Sequence, residues 1–396
     1  MSEFKNLPSG WKVVRLGEIS SRVTRRNQDN RCQNVLTISA QSGLINQTDF
    51  FNKQVASKDL SNYILLKKGE FAYNKSYSTG YSFGAFKRLK FYEEGVASPL
   101  YIYFKFNDDV CSDFFEFYFD AGQANRQIKD IVQEGARNHG LLNLSIDDFF
   151  NIKIRMPNLD EQKKIAEILS TWDEAINLTI NLIESKKQFK KALMQNLLTA
   201  KIRFPQFKGE WKEIKLGNFL EEKSERNTKN IDLILSVTNK FGFVTQVEYF
   251  DKSVASDNTA NYKIVRKGNF AYNPSRINVG SIALLESYEI GILSPMYVVF
   301  ECLKNLDNRF LKFWFQSHSF MGNLFKYLAG SVRESLNFND MKTISIKLPN
   351  LKEQQKIVEV LTACDDEINL LNLKLENLKK QKQGLMQKLL SGKVRI

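Results

Sequence analysis

Side chains that carry out most enzymatic chemistry are few in this 396-residue chain. It has two histidines, His139 and His318, and four cysteines, Cys32, Cys111, Cys302 and Cys364. The cysteines lie too far apart for a C-x-x-C ligand pair or a disulfide framework, which fits a reducing, cytoplasmic compartment. A phosphate-cradling G-x-x-x-x-G-K-[ST] loop is missing, because the only Gly-Lys pair, Gly392-Lys393, is followed by Val394. No G-x-G-x-x-G occurs. The paired acids Asp147-Asp148 read as a turn or helix start. What remains abundant is the chemistry of contact: Arg, Lys, Asn, Gln and Tyr in Gly-punctuated loops, the side chains that hold phosphates and read base edges.

Packed elements must position those loops. Lys and Arg number 57 against 44 Asp and Glu, a formal net charge of +13 that points to a polyanionic partner. Hydrophobic residues make up 43% of the chain and include 30 Phe, enough for packed cores and too many for wholesale disorder. The length predicts two or three domains. The N-terminal residues MSEFKNLPSGWK lack the apolar core of a signal peptide. No apolar run approaches the roughly 20 residues that span a bilayer, so the chain is expected to have no membrane partner.

The second half of the chain restates the first. Trp11-Lys12 with Arg15-Leu16-Gly17 recurs as Trp211-Lys212 with Lys215-Leu216-Gly217. VASKDLSNYILLKKGEFAYN from Val55 returns as VASDNTANYKIVRKGNFAYN from Val254, and SPLYIYF from Ser98 as SPMYVVF from Ser294. PNLDEQKKIAEIL from Pro157 returns from Pro349, and LMQNLLTAKIRF from Leu193 returns from Leu385. Each copy is a globular part followed by a polar, Leu/Lys/Glu-rich tail. His139 and His318 have no counterpart in the other copy, which excludes a duplicated histidine site.

The tails read as long helices. In the second, Ile357, Leu361, Cys364, Ile368, Leu371, Leu375, Leu378, Leu385 and Leu389 alternate steps of four and three, with Lys382 filling the one polar step. The first carries Ile165, Leu169, Trp172, Ile176, Ile183, Leu193 and Leu197, interrupted by Thr179, Lys186 and Lys190. Asn158 and Asn350 are expected N-caps, with Glu161 and Glu353 at capping-box spacing. About 40 residues at about 1.5 Å each make helices roughly 60 Å long. Each is acidic in its first half and basic in its second, so antiparallel packing sets opposite charges together. That arrangement predicts an approximate two-fold relation between the globular parts, suited to a two-part nucleic-acid target.

The globular parts read as α+β. VLTIS from Val35, YILL from Tyr63, LYIYF from Leu100 and NIKIRM from Asn151 have strand character, whereas the stretch from Asp113 and its counterpart from Arg309 have helical spacing. Contact residues are expected where the copies keep their frame but differ in side chain. After FAYN these are Lys75, Ser76, Tyr77, Ser78, Thr79 and Tyr81 in one copy and Ser275, Arg276 and Asn278 in the other. Gln41, Asn239 and Lys240 leave the first strands. Arg137, Asn138 and His139 face Arg333 before the last strand. Arg22, Arg25, Arg26 and Arg226 are candidate phosphate clamps. Asn273-Pro274-Ser275 faintly resembles the Asn-Pro-Pro-aromatic motif of base-flipping amino-methyltransferases, but Arg276 stands in its aromatic position and no cofactor loop accompanies it.

Taken together, the two variable heads, each opened by W-x-x-x-x-L-G and closed by P-N-L-x-E-Q-x-K-I-x-E-x-L and L-M-Q-x-L-L-x-x-K-[IV]-R, resemble the DNA-specificity subunit of Type I restriction-modification enzymes over essentially the whole chain. The resemblance implies target-recognition domains at 1–155 and 204–347 and long helices at 156–203 and 348–396 that form an antiparallel coiled coil. It implies that each head reads one part of a split, asymmetric site in the major groove of double-stranded DNA. The coiled coil would set the spacer and hold two methyltransferase subunits, to which two translocase-nuclease subunits add. S-adenosylmethionine, ATP and Mg would be used by those partners, leaving this chain without a catalytic site, metal or cofactor. The alternative is a two-headed coiled-coil adaptor that binds proteins, distinguished by weak, salt-insensitive DNA affinity.

Overall fold

The computed structural model describes residues 7–39, 42–51, 56–77, 80–132, 142–246, 258–328 and 335–396. It divides into two compact units, Met1–Ile180 with Leu373–Ile396, and Asn181–Asn372. The long helices are thus shared between the units and do not form a unit of their own.

In the first unit the described residues of the head form ten strands: β1 (Lys12–Arg15), β2 (Ser20–Arg22), β3 (Leu36–Ser39), β4 (Gly43–Asn46), β5 (Ile64–Lys67), β6 (Phe71–Asn74), β7 (Ala85–Arg88), β8 (Glu94–Ala97), β9 (Ile102–Phe106) and β10 (Lys153–Met156). A four-stranded antiparallel sheet runs β2-β9-β6-β7, flanked by the pairs β3-β4 and β5-β8. β1 pairs with β10, from Lys12 opposite Met156 to Arg15 opposite Lys153, so the head starts and finishes side by side. The second head repeats the pattern with β11 (Lys212–Lys215), β12 (Leu220–Glu222), β13 (Leu235–Thr238), β14 (Gly242–Thr245), β15 (Lys263–Arg266), β16 (Phe270–Tyr272), β17 (Ile282–Leu284), β18 (Ile290–Leu293), β19 (Val298–Cys302) and β20 (Ser345–Leu348). Its sheet order, β12-β19-β16-β17 with β13-β14, β15-β18 and β11-β20, matches the first element for element. The α+β expectation holds in both.

The many phenylalanines fill the space between each sheet and its helices. Phe71, Phe104, Phe114, Phe115 and Phe149 are fully buried in the first head, as are Phe270, Phe300, Phe310 and Phe320 in the second. Large rings supply the apolar area that short strands of three to five residues cannot provide with aliphatic side chains alone. The stretch after Asp113 is two helices, Ser112–Asp120 and Asn125–Ile131. Gly122, at φ 69°, takes the left-handed conformation that turns the chain between them.

Both tails are single helices of 40 residues, Leu159–Leu198 and Leu351–Leu390. Asn158 and Asn350 cap them, each accepting from the backbone N–H three residues on at 2.9 and 3.0 Å. The carboxylates at capping-box spacing are used differently. Glu161 receives Arg395 Nε and Nη2, both at 2.7 Å, and Glu353 receives Arg203 Nε at 2.9 Å and Nη2 at 2.8 Å. The side chains of Glu161 and Glu353 are 5% and 1% exposed, whereas Arg395 and Arg203 keep 40% and 24%, so each fork-to-fork pair buries its carboxylate and leaves its guanidinium at the surface. The glutamines that follow tie the helix starts to the heads: Gln162 accepts from Cys111 N–H, and Gln354 from Asp307 N–H.

Within each unit the helix segments run antiparallel, as the charge halves predict. Ile165, Leu169, Ile357, Leu361 and Ile368 are buried, and Trp172, Ile176, Cys364, Leu371, Leu375 and Leu378 are partly buried among exposed neighbours. The polar interruptions belong to the same seam. Lys186 pairs with Glu367 at 2.7 Å and Lys190 with Asp365 at 2.5 Å in the second unit, and Lys382 pairs with Asp173 at 2.5 Å in the first. Lys190 and Lys382 also lie 5.2 and 5.0 Å from the ring centres of Phe313 and Phe117, so each seam lysine joins a helix to a head. Glu353→Ala is expected to cost about 2–3 kcal/mol in chemical denaturation, whereas Glu376→Ala, in an exposed pair with Lys379, should cost under about 0.5 kcal/mol. Equal losses would show that the buried pair has no special weight.

Candidate nucleic-acid interface

The expected contact loops sit at the turns of the paired strands. In the second head the β13–β14 turn carries Asn239 and Lys240, both exposed, and the segment after β16 carries Ser275, Arg276 and Asn278. Asn273 accepts from Ser275 N–H at 3.1 Å and caps a short 3-10 helix over Pro274–Val279, so Asn273-Pro274-Ser275 acts here as a helix start. Gly280, at φ 84°, ends that helix, and a Cβ there would meet Asn239 Cβ at 3.8 Å. The two loops therefore adjoin. Ser281 Oγ fixes their relation by donating to Val237 O at 3.1 Å.

In the first head Lys75, Ser76 and Tyr77 follow β6. Ser76 N–H donates to Asn74 Oδ1 at 2.9 Å, Lys75 O accepts from Leu142 N–H, and Tyr77 is 63% exposed. Tyr81 packs against the smaller core behind the sheet, beneath the Lys87 ammonium 5.0 Å from its ring centre. Burial alone would lower the Lys87 pKa, but Asp120 at 2.8 Å and Tyr81 outweigh it and hold the ammonium above its usual range. Gln41, Ser78, Thr79, Arg137, Asn138, His139 and Arg333 lie outside the described residues.

The candidate phosphate clamps do not converge with these loops. Arg22 is on β2, at one edge of the sheet, while the loop after β6 leads to β7 at the other edge. Arg25 is half-buried and held against the fold: its Nη2 lies 2.8 Å from the nearly buried Glu70 carboxylate, and Nη1 reaches Leu65 O at 3.2 Å. Arg26 Nη1 donates to Asn62 Oδ1 and Arg226 Nη1 to Asn261 O, so each braces a neighbouring loop while staying exposed. Asn27 and Asn227, not singled out in the sequence, bind the backbones of Cys32 and Ile231 in both directions and shape these arginine-bearing turns. Their only sequence signal is that they recur.

The largest shifts fall on buried groups with a structural place in the heads. Burial raises Tyr73, Tyr103 and Tyr272, and pushes the Cys302 thiol up to about 12, all toward the neutral form. Lys263 is lowered by burial, with Arg226 adding to the effect and Glu222 opposing it. Among the described residues no three His, Cys, Asp or Glu side chains group as metal ligands, and no helix is long and apolar enough to cross a membrane. Nothing in the sequence signals a cavity of about 440 Å³ in the second head, lined by Asn239, Lys240, Phe241 and Gln316 among others.

Comparison with known proteins bears on this arrangement. The family model described as Type I restriction modification DNA specificity domain matches residues 8–186 and 208–380, once for each half of the repeat. The chain is similar to the Type I restriction enzyme MjaVIII specificity subunit of Methanocaldococcus jannaschii, 25% identical over 77% of this chain and 75% of that one. It is also similar to the putative MjaX specificity subunit of the same organism, 26% identical over 62% of this chain and 60% of that one. Among solved structures, the HsdS subunit from Thermoanaerobacter tengcongensis aligns over all of both chains with a TM-score of 0.54 and 17% identity. A chain from a study of complex assembly and conformational transition of the type I R-M system covers 98% of this chain and 100% of its own, with a TM-score of 0.59 and 17% identity.

Two classes of arginine and lysine are thus separated by their surroundings. Lys240→Ala should weaken DNA binding uniformly across sequences and lower the slope of log K against log salt by about 1 as one phosphate is no longer neutralised, whereas Arg276→Ala should relax the choice of base at one position. Arg25→Ala should leave that slope unchanged and reduce stability by about 1–2 kcal/mol through Glu70. An Arg25→Ala variant that alters only the salt slope would reverse the assignment.

Proposed function

Since the chain belongs to the Type I restriction-modification DNA specificity family, we propose that its two heads read the two parts of a split, asymmetric DNA site. Each head presents its own turn residues to the major groove: Lys75, Ser76, Tyr77 and Tyr81 in the first, and Asn239, Lys240, Ser275, Arg276 and Asn278 in the second. The heads share a strand order but differ at these positions, so the half-sites differ as well. Amide and guanidinium groups on short turns suit bidentate contacts with adenine and guanine edges.

The observation that carries the proposal is the crosswise use of the repeated motifs. The arginine closing each tail lies on the glutamate that opens the other, Arg395 on Glu161 and Arg203 on Glu353. Sequence that recurs in the two tails is thus committed to helix pairing and head docking, which leaves the turns of the heads as the place where the copies are free to differ. In this reading the paired helices fix the number of base pairs between the half-sites and offer docking surface to two methyltransferase subunits. Two translocase-nuclease subunits complete the assembly. Methyl transfer from S-adenosylmethionine and Mg-dependent ATP hydrolysis belong to those partners, and this chain contributes recognition without catalysis.

Sequencing methylated adenines in cells with and without the chain should yield one two-part motif that depends on it. Inserting seven residues in both helices, after Ile180 and after Asn372, preserves the heptad and adds about 10.5 Å. The recognised gap should then widen by about three base pairs, at about 3.4 Å each. An unchanged gap in a methylating variant would refute the spacer role, and methylation independent of the chain would refute the reading as a whole.

A further inference from the structure

The two heads share a fold but differ in how one place in it is filled. In the first, β7 sets Phe86, Lys87 and Arg88 opposite Tyr73, Ala72 and Phe71. Phe86 stacks on Phe119 with ring centres 3.9 Å apart, Lys87 is held by Asp120, and Arg88 by Asp113. In the second head the same register positions on β17 are Ile282, Ala283 and Leu284. On the helix Asn308–Phe315 and the residue after it, Arg309, Lys312 and Gln316 stand where Asp113, Glu116 and Asp120 stand in the first head. The ion pair at the margin persists with its charges exchanged, Lys90–Glu116 in one head and Glu286–Lys312 in the other. Two long cations have become Ala283 and Leu284, and both of these shorter residues line the 440 Å³ cavity.

That volume lies within the roughly 300–1,000 Å³ of pockets that enclose small molecules. Phe270 and Phe315, both buried, give it an apolar aromatic floor. Asn239 and Gln316, both exposed at the rim, each offer one acceptor and an amide donor, the complement of a nucleobase edge. At the mouth Phe241 is 60% exposed, with the Lys240 ammonium 5.1 Å from its ring centre. Lys240 has no ion-pair partner among the described residues, which leaves it free for a phosphate. The negative charge of Glu286 is compensated by Lys312.

The geometry points to a nucleobase-binding pocket in the second head, one that receives a base turned out of the duplex at that head's half-site, with the adjoining phosphate on Lys240. This rests on the DNA-reading function proposed above and adds a mode of recognition for the second head, since the matching positions of the first carry the larger side chains Phe86, Lys87 and Arg88. A base leaving the stack loses stacking and pairing of a few kcal/mol, which an aromatic floor and two amides can offset.

The test uses the full chain assembled with its methyltransferase subunits, on a duplex bearing the site identified by methylation sequencing. Each purine of the half-site read by residues 204–347 is replaced in turn by 2-aminopurine and each cytosine by pyrrolocytosine, and thymines are probed with permanganate. We expect one position other than the methylated adenine to show a several-fold rise in emission or reactivity on binding. Ala283→Lys with Leu284→Arg, which introduces the larger side chains of the first head, should abolish that rise. Asn239→Ala with Gln316→Ala changes only exposed side chains and should weaken binding about tenfold without shifting Tm. A response confined to the methylated adenine, or one that survives both variants, overturns the pocket while leaving the reading of the heads intact. Absence of chain-dependent methylation would overturn both.

Discussion

The pairing of the long helices turns on two carboxylate-guanidinium contacts whose carboxylates are buried, Glu161 with Arg395 and Glu353 with Arg203. Each joins the first turn of one long helix to the segment just beyond the end of the other, where the heads also dock. Ile165 and Leu169 enter the first aromatic core together with Leu389 and Leu390, and Ile357 and Leu361 enter the second together with Leu197 and Leu198. A carboxylate in such a setting is tolerated only with its partner present, because desolvation without a counter-charge costs several kcal/mol. The pair therefore acts as a register pin: sliding either helix by one turn would strand a charge inside an apolar junction.

The seam lysines extend the same logic along the helices. An all-leucine seam would pack well in several registers, whereas Lys190 and Lys382 each require an aspartate on the facing helix and an aromatic ring on a head at once. Three elements are located by one side chain. The heads in turn show how far a fixed frame tolerates change, since one ion pair of the sheet-helix contact has exchanged its charges between the copies and two others have given way to Ala283 and Leu284, while strand order and register stayed the same.

The repeat, the long helices and the α+β heads were legible because they rest on spacing, and spacing survives in a bare sequence. The function of particular polar residues was less so. Thr179, Lys186 and Lys190 read as interruptions, since whether a polar residue fits a seam depends on what faces it. Glu161 and Glu353 have capping-box spacing whichever way their carboxylates turn, and only the fold reveals that they turn to arginine. Arg25 and Arg26 are adjacent and chemically identical, yet one is bound to the nearly buried Glu70 and the other stays exposed. The cavity was invisible for a related reason: it arises from cross-strand register and from volumes missing relative to another copy, which no linear motif encodes.

The pairing of the first strand of each head with its last, β1 with β10 and β11 with β20, has an evolutionary meaning. A head whose two ends leave side by side is a cassette. It can be replaced whole by recombination within the flanking repeated motifs, and the incoming copy need match its host only at a short ladder and a helix start. Piecemeal exchange inside a head meets the opposite fate, because a strand from one copy would face a helix of the wrong charge in the other. A whole head is thus the unit that this frame can exchange without changing itself.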